Sequence, residues 1–241
     1  MTDPLLRLAG VQTHIGRYHI LHGVDLDVPA GQTTVLLGRN GAGKTTTLRT
    51  IMGLWRASQG EIRFAGQDIA RAETPDIARL GIAYVPETMG VFTQLTVREN
   101  FMLATASGRF DAARLQSVFA LFPILEQKFD DAAGGLSGGQ KQMLSMARAM
   151  LEPRRLMIVD EPTKGLAPGV INQLIEAFRQ LRAAETTILL VEQNFHMARS
   201  VGDTVAVMDD GRVVHAGGMA ELAADEALQA RLLGLSLASH Q

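Results

Sequence analysis

The 241-residue sequence contains no cysteine. A disulfide frame, a thiolate metal site and a thiol nucleophile are thereby excluded, and the lack suits a reducing compartment. A surplus of one charge is missing too, since 23 Lys and Arg stand against 25 Asp and Glu for a net −2. Nucleic-acid binders carry a basic surplus, so no nucleic acid is expected as a partner. Nowhere do about 18 apolar residues run together, and the opening MTDPLLRL has no basic segment leading into a long apolar one. A cytoplasmic chain that does not itself cross a membrane is the expectation. There is no internal repeat and no low-complexity linker. What is plentiful is apolar content, 46% of residues, enough to build the core of one large domain or two small ones.

The stretch VLLGRNGAGKTTTLRTIMG, from Val35 to Gly53, carries the strongest chemical signal. Val35, Leu36 and Leu37 read as a short buried strand. The loop Gly38-Arg39-Asn40-Gly41-Ala42-Gly43-Lys44-Thr45 then opens a helix starting near Thr46. Glycines at 38, 41 and 43 free the backbone to turn successive N–H groups onto an anion at the positive end of that helix. Such a loop cradles phosphates. Lys44 is expected between the β- and γ-phosphates, and the Thr45 hydroxyl on Mg²⁺.

Along the chain, Leu5 to Val11 and Ile20 to Val28 alternate apolar with polar, as half-buried antiparallel strands do. Tyr18 lies between them in the polar stretch GRYH, where its ring either stacks on a purine or packs on the sheet. GEIRFAGQDI reads as a hairpin turning at Gly66, Arg71 to Leu80 as a helix, and Ile82 to Val85 as a buried strand stopped by Pro86. From about Thr93 to Leu151 the pattern turns helical. Thr96 with Glu99 forms a capping box, and a helix from Asp111 to Phe122 ends at Pro123. Continuous apolar runs return at Leu156–Val159 and Thr187–Val191, the mark of strands covered on both faces. Helices over Pro168–Ala184 and Phe195–Val201, a hairpin turning at Asp209-Asp210-Gly211, and two short helices, Met219–Ala224 and Asp225–Leu233, complete the chain. The expected layout is one domain, with residues 1–92 and 152–241 as core and antiparallel β subdomain, and residues 93–151 as a helical subdomain.

Two further constellations bear chemistry. Asp160 and Glu161 follow Val159 directly, at the edge where open parallel sheets bind ligands. Asp160 is expected to hold Mg²⁺ through water opposite Thr45, and Glu161 to orient or deprotonate the water attacking the γ-phosphate. The second is Leu136-Ser137-Gly138-Gly139-Gln140, where Ser137 caps a helix carrying Met143, Ala147, Met150 and Leu151 on one face. A capped helix opening on two glycines makes a second anion site.

GRNGAGKTT, LSGGQ and LMIVDEP, in this order, resemble the ATP-binding cassette of ABC transporters over essentially the whole chain. The resemblance implies an α/β P-loop NTPase fold of the ABC ATPase type, with a mixed sheet core, an antiparallel β subdomain and a helical subdomain. It implies ATP and Mg²⁺ as ligands and two cassettes facing head to tail. Ser137, Gly138, Gly139 and Gln140 of one would then complete the phosphate site of the other. Tyr18 matches the aromatic residue that stacks on adenine. Two positions depart from the family pattern: Glu87 stands where glutamine is usual, and Gln193 where a switch histidine is usual. Glu87 can still meet Mg²⁺ or its water, although an anion beside phosphate is repelled unless metal intervenes. Gln193 donates a hydrogen bond without carrying charge. Pro168, in GLAP, replaces a common acidic residue of the dimer-contact loop.

Those departures, read in VPE, EPTKGLAP and VEQN, resemble the smaller ATPase subunit of branched-chain amino acid uptake systems. That branch implies a second ATPase, two membrane subunits and an external binding protein, with the chain peripheral on the inner face of the membrane. Related systems carry urea, amides or other amino acids. A DNA-repair or ribosome-acting cassette is the rival, but residues 45–137 leave no room for a long coiled coil, and the chain holds one cassette where ribosome-acting members hold two. A kinase or GTPase would leave LSGGQ without a purpose.

Overall fold

A computed structural model describes residues 3–234 of the chain. β1 (Leu6–Ile15) and β2 (Tyr18–Val28) form a hairpin whose inward residues, among them Leu6, Leu8, Leu21 and Val24, are buried while their neighbours face out. Next comes β3 (Thr33–Gly38), buried on both faces, followed by α1 (Lys44–Ile51). β4 (Ala57–Phe64) and β5 (Gln67–Asp68) complete an antiparallel sheet of order β2-β1-β4-β5. α2 (Thr74–Arg79) leads to β6 (Ile82–Val85).

Four helices follow: α3 (Val97–Met102), α4 (Ala112–Leu121), α5 (Pro123–Gln127) and α6 (Gly138–Met150). The remainder alternates strand and helix, with β7 (Leu156–Asp160), α7 (Pro168–Ala183), β8 (Thr187–Val191), α8 (Phe195–Val201) and β9 (Thr204–Asp209). β10 (Arg212–Gly218), α9 (Met219–Ala224) and α10 (Glu226–Leu233) follow. The larger sheet has order β10-β9-β3-β8-β7-β6, parallel except for β10, so it is mixed.

Alternation along the central strands divides the core in two. Leu36, Ile158 and Leu189 point to the side where α1 and the antiparallel sheet lie, and pack with Leu48, Ile51, Ile62 and Phe64. Val35, Leu37, Met157, Val159 and Leu190 point to the other side, against Leu174 and Phe178 of α7 and Met143 and Ala147 of α6. Both faces are dry, which is why these strands read as unbroken apolar runs. Phenylalanines give the helical stretch its own filling: Phe119 meets Phe129 edge-on at 5.2 Å, and Phe101 lies 5.9 Å from Phe129.

Several sequence expectations shift. Tyr18 is no loop residue; it opens β2, cross-strand from Ile15, because β1 runs on to Ile15 and the turn is only Gly16-Arg17. α1 starts at Lys44 rather than Thr46, since Gly43 at φ 102° ends the loop there. α2 starts at Thr74, set by Pro75 in its first turn, and Pro123 opens α5 after α4 has stopped at Leu121. The α6 face is broader than expected, because Leu144, Ser145 and Met146 are buried along with Met143 and Ala147. The Thr96 and Ser137 capping boxes both form.

Candidate functional site

Strand register builds the site. Leu36 of β3 and Asp160 of β7 both pair with Val191 of β8, so these strands end together. The phosphate-type loop, the Asp160-Glu161 pair and the Glu192-Gln193 pair therefore emerge at one sheet edge. Between them lies a cleft of about 340 Å³, lined by Asn40, Gly41, Gly43, Lys44, Thr45, Thr46, Glu87, Glu161 and Lys164, with Ile20 of β2 at its side.

Gly38 sits at φ 146°, and a Cβ there would lie 2.3 Å from the Met208 carbonyl oxygen, so no side chain fits between loop and β9. Lys44 folds back across the loop, its ammonium donating to the carbonyls of Gly38 (2.8 Å) and Arg39 (3.1 Å). Its Nζ stands 3.7 Å from Glu161 Oε1, with the two side chains only 4% and 9% exposed. Burial pulls the Lys44 pKa down, and Glu161 and Asp160 oppose that pull.

The Thr45 hydroxyl donates to Asp160 Oδ1 at 3.1 Å, and the Tyr84 hydroxyl to Oδ2 at 3.3 Å. Burial raises the Asp160 carboxyl to about 6, the Thr45 bond resisting and the Glu161 and Glu87 charges adding to the rise. Tyr84, buried against that carboxylate, is pushed up to about 12. Thr45 and Asp160 offer hard oxygen donors a hydrogen bond apart, which suits Mg²⁺. Among the described residues no three His, Asp or Glu side chains form a metal cage, so the remaining ligands of such an ion would come from water and phosphate.

Glu161 has φ +44°, a left-handed conformation uncommon outside glycine, and its amide is anchored to the Val191 carbonyl at 2.9 Å. Gln193 Nε2 donates both to Glu161 Oε1 and to Asn40 Oδ1, the latter at 2.7 Å, joining the loop to the two carboxylate-bearing edges. Arg39 and Asn40 also border a second cavity of about 360 Å³ with Gln193, Phe195 and Leu233.

Glu87 comes to the cleft but is paired with Lys164, at 2.6 Å. Tyr18 is 60% exposed, with Arg17 over its ring at 5.3 Å, and does not line the phosphate cleft. Ser137, Gly138, Gly139 and Gln140 do not line it either. The Ser137–Gln140 box sits at the solvent-facing start of α6, and Gly139 lies against Val170 of α7.

Three side chains escaped the sequence reading. Tyr84 and Lys164 reach the site from a strand and a turn already singled out for their neighbours. Glu192, 2% exposed, accepts from the Thr163 amide (3.1 Å) and hydroxyl (2.6 Å) and from the amides of Gln193 (2.9 Å) and Asn194 (3.0 Å). The acidic residue before Gln193 was the available signal.

Asp160 is held at some expense to the fold. Its folded pKa, about 6, exceeds the ordinary 3.8. The contribution therefore favours folding below pH 4 and is lost as pH rises to about 6. Asp160→Asn should accordingly stabilise the nucleotide-free protein at pH 7.5 by about 1–3 kcal/mol. Thermal unfolding of both forms between pH 4 and 7.5 checks this, the variant lacking that share of the decline.

Fold and site together define a P-loop NTPase of the α/β class. The chain belongs to the ABC transporter family, whose profile matches residues 21–164. It is 39% identical over 87% of its length to a high-affinity branched-chain amino acid transport ATP-binding protein of Pseudomonas aeruginosa, covering 91% of that protein. It is 34% identical over 96% of its length to a protein named as a probable branched-chain amino acid transport ATP-binding protein of Archaeoglobus fulgidus, covering 99% of it. A methionine import ATP-binding protein of Rhizobium etli matches at 33% identity, with 89% of this chain and 61% of that one covered. Among solved structures, an ATP-binding subunit of an ABC transporter superposes with a TM-score of 0.81 at 31% identity, over 97% of this chain and 96% of the other. The chain is thus an ATPase whose ATP hydrolysis is coupled to transport.

Proposed function

We propose that this chain is the ATP-hydrolysing subunit of an importer for branched-chain amino acids, working as one of two cassettes beneath two membrane permease subunits and with an external solute-binding protein. The observation that carries the cargo is the near full-length similarity to the Pseudomonas protein. Among the described residues no helix is long and apolar enough to cross a membrane, so permease subunits would hold the chain at the inner face.

In this reading the Gly38–Thr45 loop binds the β- and γ-phosphates, with Lys44 exchanging its loop carbonyls for phosphate oxygens. Thr45 and Asp160 would hold Mg²⁺, which would supply charge neutralisation on the phosphates. Glu161 orients and deprotonates the attacking water, Gln193 donates towards the γ-phosphate, and Tyr18 stacks on the adenine. Ser137 to Gln140, which do not line their own cleft, complete the site of the partner cassette. Residues 93–151 act as the helical subdomain that relays movement. A groove of about 410 Å³ lined by Tyr84, Pro86, Met89, Ala104 and Arg148 is the contact for a permease. Support for that contact comes from the Arg148 Nε, buried with no partner, from exposed Leu54 in the lining, and from exposed Phe92, whose ring lies 5.1 Å from the Arg148 guanidinium.

Leucine uptake by cells lacking this chain tests the cargo. Uptake should fall to background and return with the wild type. Intact leucine uptake together with lost uptake of methionine or urea would assign a different importer.

A further inference from the structure

The cleft holds an acidic residue in an awkward place. Glu87 enters a site built for a triphosphate, where a carboxylate repels the ligand, yet it sits among the lining residues with Glu161 and Asp160 close by. The Lys164 ammonium lies 2.6 Å from Glu87 Oε1 and 3.7 Å from Glu161 Oε2. The lysine thus stands between the two carboxylates.

Its placement is built into the fold. Lys164 donates its amide to the Glu161 carbonyl at 3.3 Å, and the preceding Thr163 is fastened to buried Glu192 by amide and hydroxyl. The Lys164 side chain itself is 61% exposed and that of Glu87 36% exposed. A pair so wet contributes little to folding. Its effect falls on the charge of the cleft.

We propose that Lys164 is the counter-cation that lets this cassette carry a glutamate at position 87: by engaging Glu87 it holds that carboxylate away from the incoming phosphates. Lys164 is then a positioning residue acting through Glu87. Without it, the Glu87 carboxylate would face the nucleotide uncompensated, Glu161 keeping Lys44 at 3.7 Å. This rests on the ATPase site described above, and the partnership belongs to this chain's own pair of residues, 77 positions apart.

Binding of a fluorescent ATP analogue to the full chain, with and without Mg²⁺, tests the assignment in a double-mutant cycle. Lys164→Ala should weaken binding about tenfold, in KM for ATP more than in kcat, as expected for loss of one partly screened unit charge. Lys164→Arg should restore it. Glu87→Gln should bind no more weakly than wild type. Combined with Lys164→Ala it should return affinity to within about threefold of wild type, because the charge needing compensation has gone. Unchanged affinity in Lys164→Ala, or a double variant as weak as Lys164→Ala alone, overturns the proposal; the latter result would mean that lysine binds phosphate directly. Lys44→Ala serves as reference. If wild type and Lys44→Ala bind the analogue alike, the phosphate site itself is misplaced; if only Lys164→Ala is silent, the failure is confined to Lys164.

Discussion

Glu161→Gln is expected to keep ATP affinity within a few-fold of wild type while lowering kcat by about 10²–10⁴, the range for loss of a positioned general base. The substitution preserves volume, and so disturbs little in a backbone already held at φ +44°. The amide can still accept from Gln193, as the carboxylate does. What is lost is the basic oxygen and the charge 3.7 Å from Lys44. Freed of that counter-ion, Lys44 turns more readily to an anion, so binding should be equal or tighter. The loss therefore lies in the transition state rather than in the ground state. Phosphate release and nucleotide titration measured on one preparation separate the two; undiminished turnover would remove Glu161 from the chemistry.

The second large effect is on stability. Glu192→Ala should destabilise the protein by about 3–5 kcal/mol, since it strands three backbone amides and a hydroxyl in the interior and leaves a void. For a chain of this size that corresponds to a fall in Tm of roughly 6–20 °C. Glu192→Gln should fall between, because one amide oxygen still accepts while its NH₂ confronts a backbone donor. Burial raises the Glu192 carboxyl although four hydrogen bonds pull it down. A folded pKa above the ordinary value means that wild-type stability declines as pH climbs through that raised value, and both variants should lack this part of the slope. Circular-dichroism melts from pH 4 to 8 measure both. A Glu192→Ala melt matching wild type would show that water replaces the carboxylate without loss.

The parts of the site legible in the sequence were those whose chemistry is contiguous. The Gly38–Thr45 loop, Asp160-Glu161 and the Ser137 cap each declare themselves within eight residues, because strand, loop and helix start are consecutive along the chain. The sheet was legible for the same reason: Leu156–Val159 and Thr187–Val191 are apolar throughout, as double-sided burial demands. Glu192 and Lys164 were not legible. Their distant partners, Thr163 and Glu87, lie 29 and 77 positions away, and only the order in which strands pair brings them together. Tyr18 shows the opposite failure. A polar neighbourhood suggested a loop, but cross-strand pairing with Ile15 extends the hairpin through it. For Glu87, local sequence allows a place near Mg²⁺ but cannot reveal the Lys164 cation that it faces.

The carboxylate of Glu192 fastens the turn after Glu161 with one oxygen and the start of the segment bearing Gln193 with the other. The segments bearing Glu161 and Gln193 are thus joined through one buried carboxylate. A shift of either segment would therefore strain hydrogen bonds made by the other, and under the proposed phosphate site both would feel the terminal phosphate through one shared carboxylate.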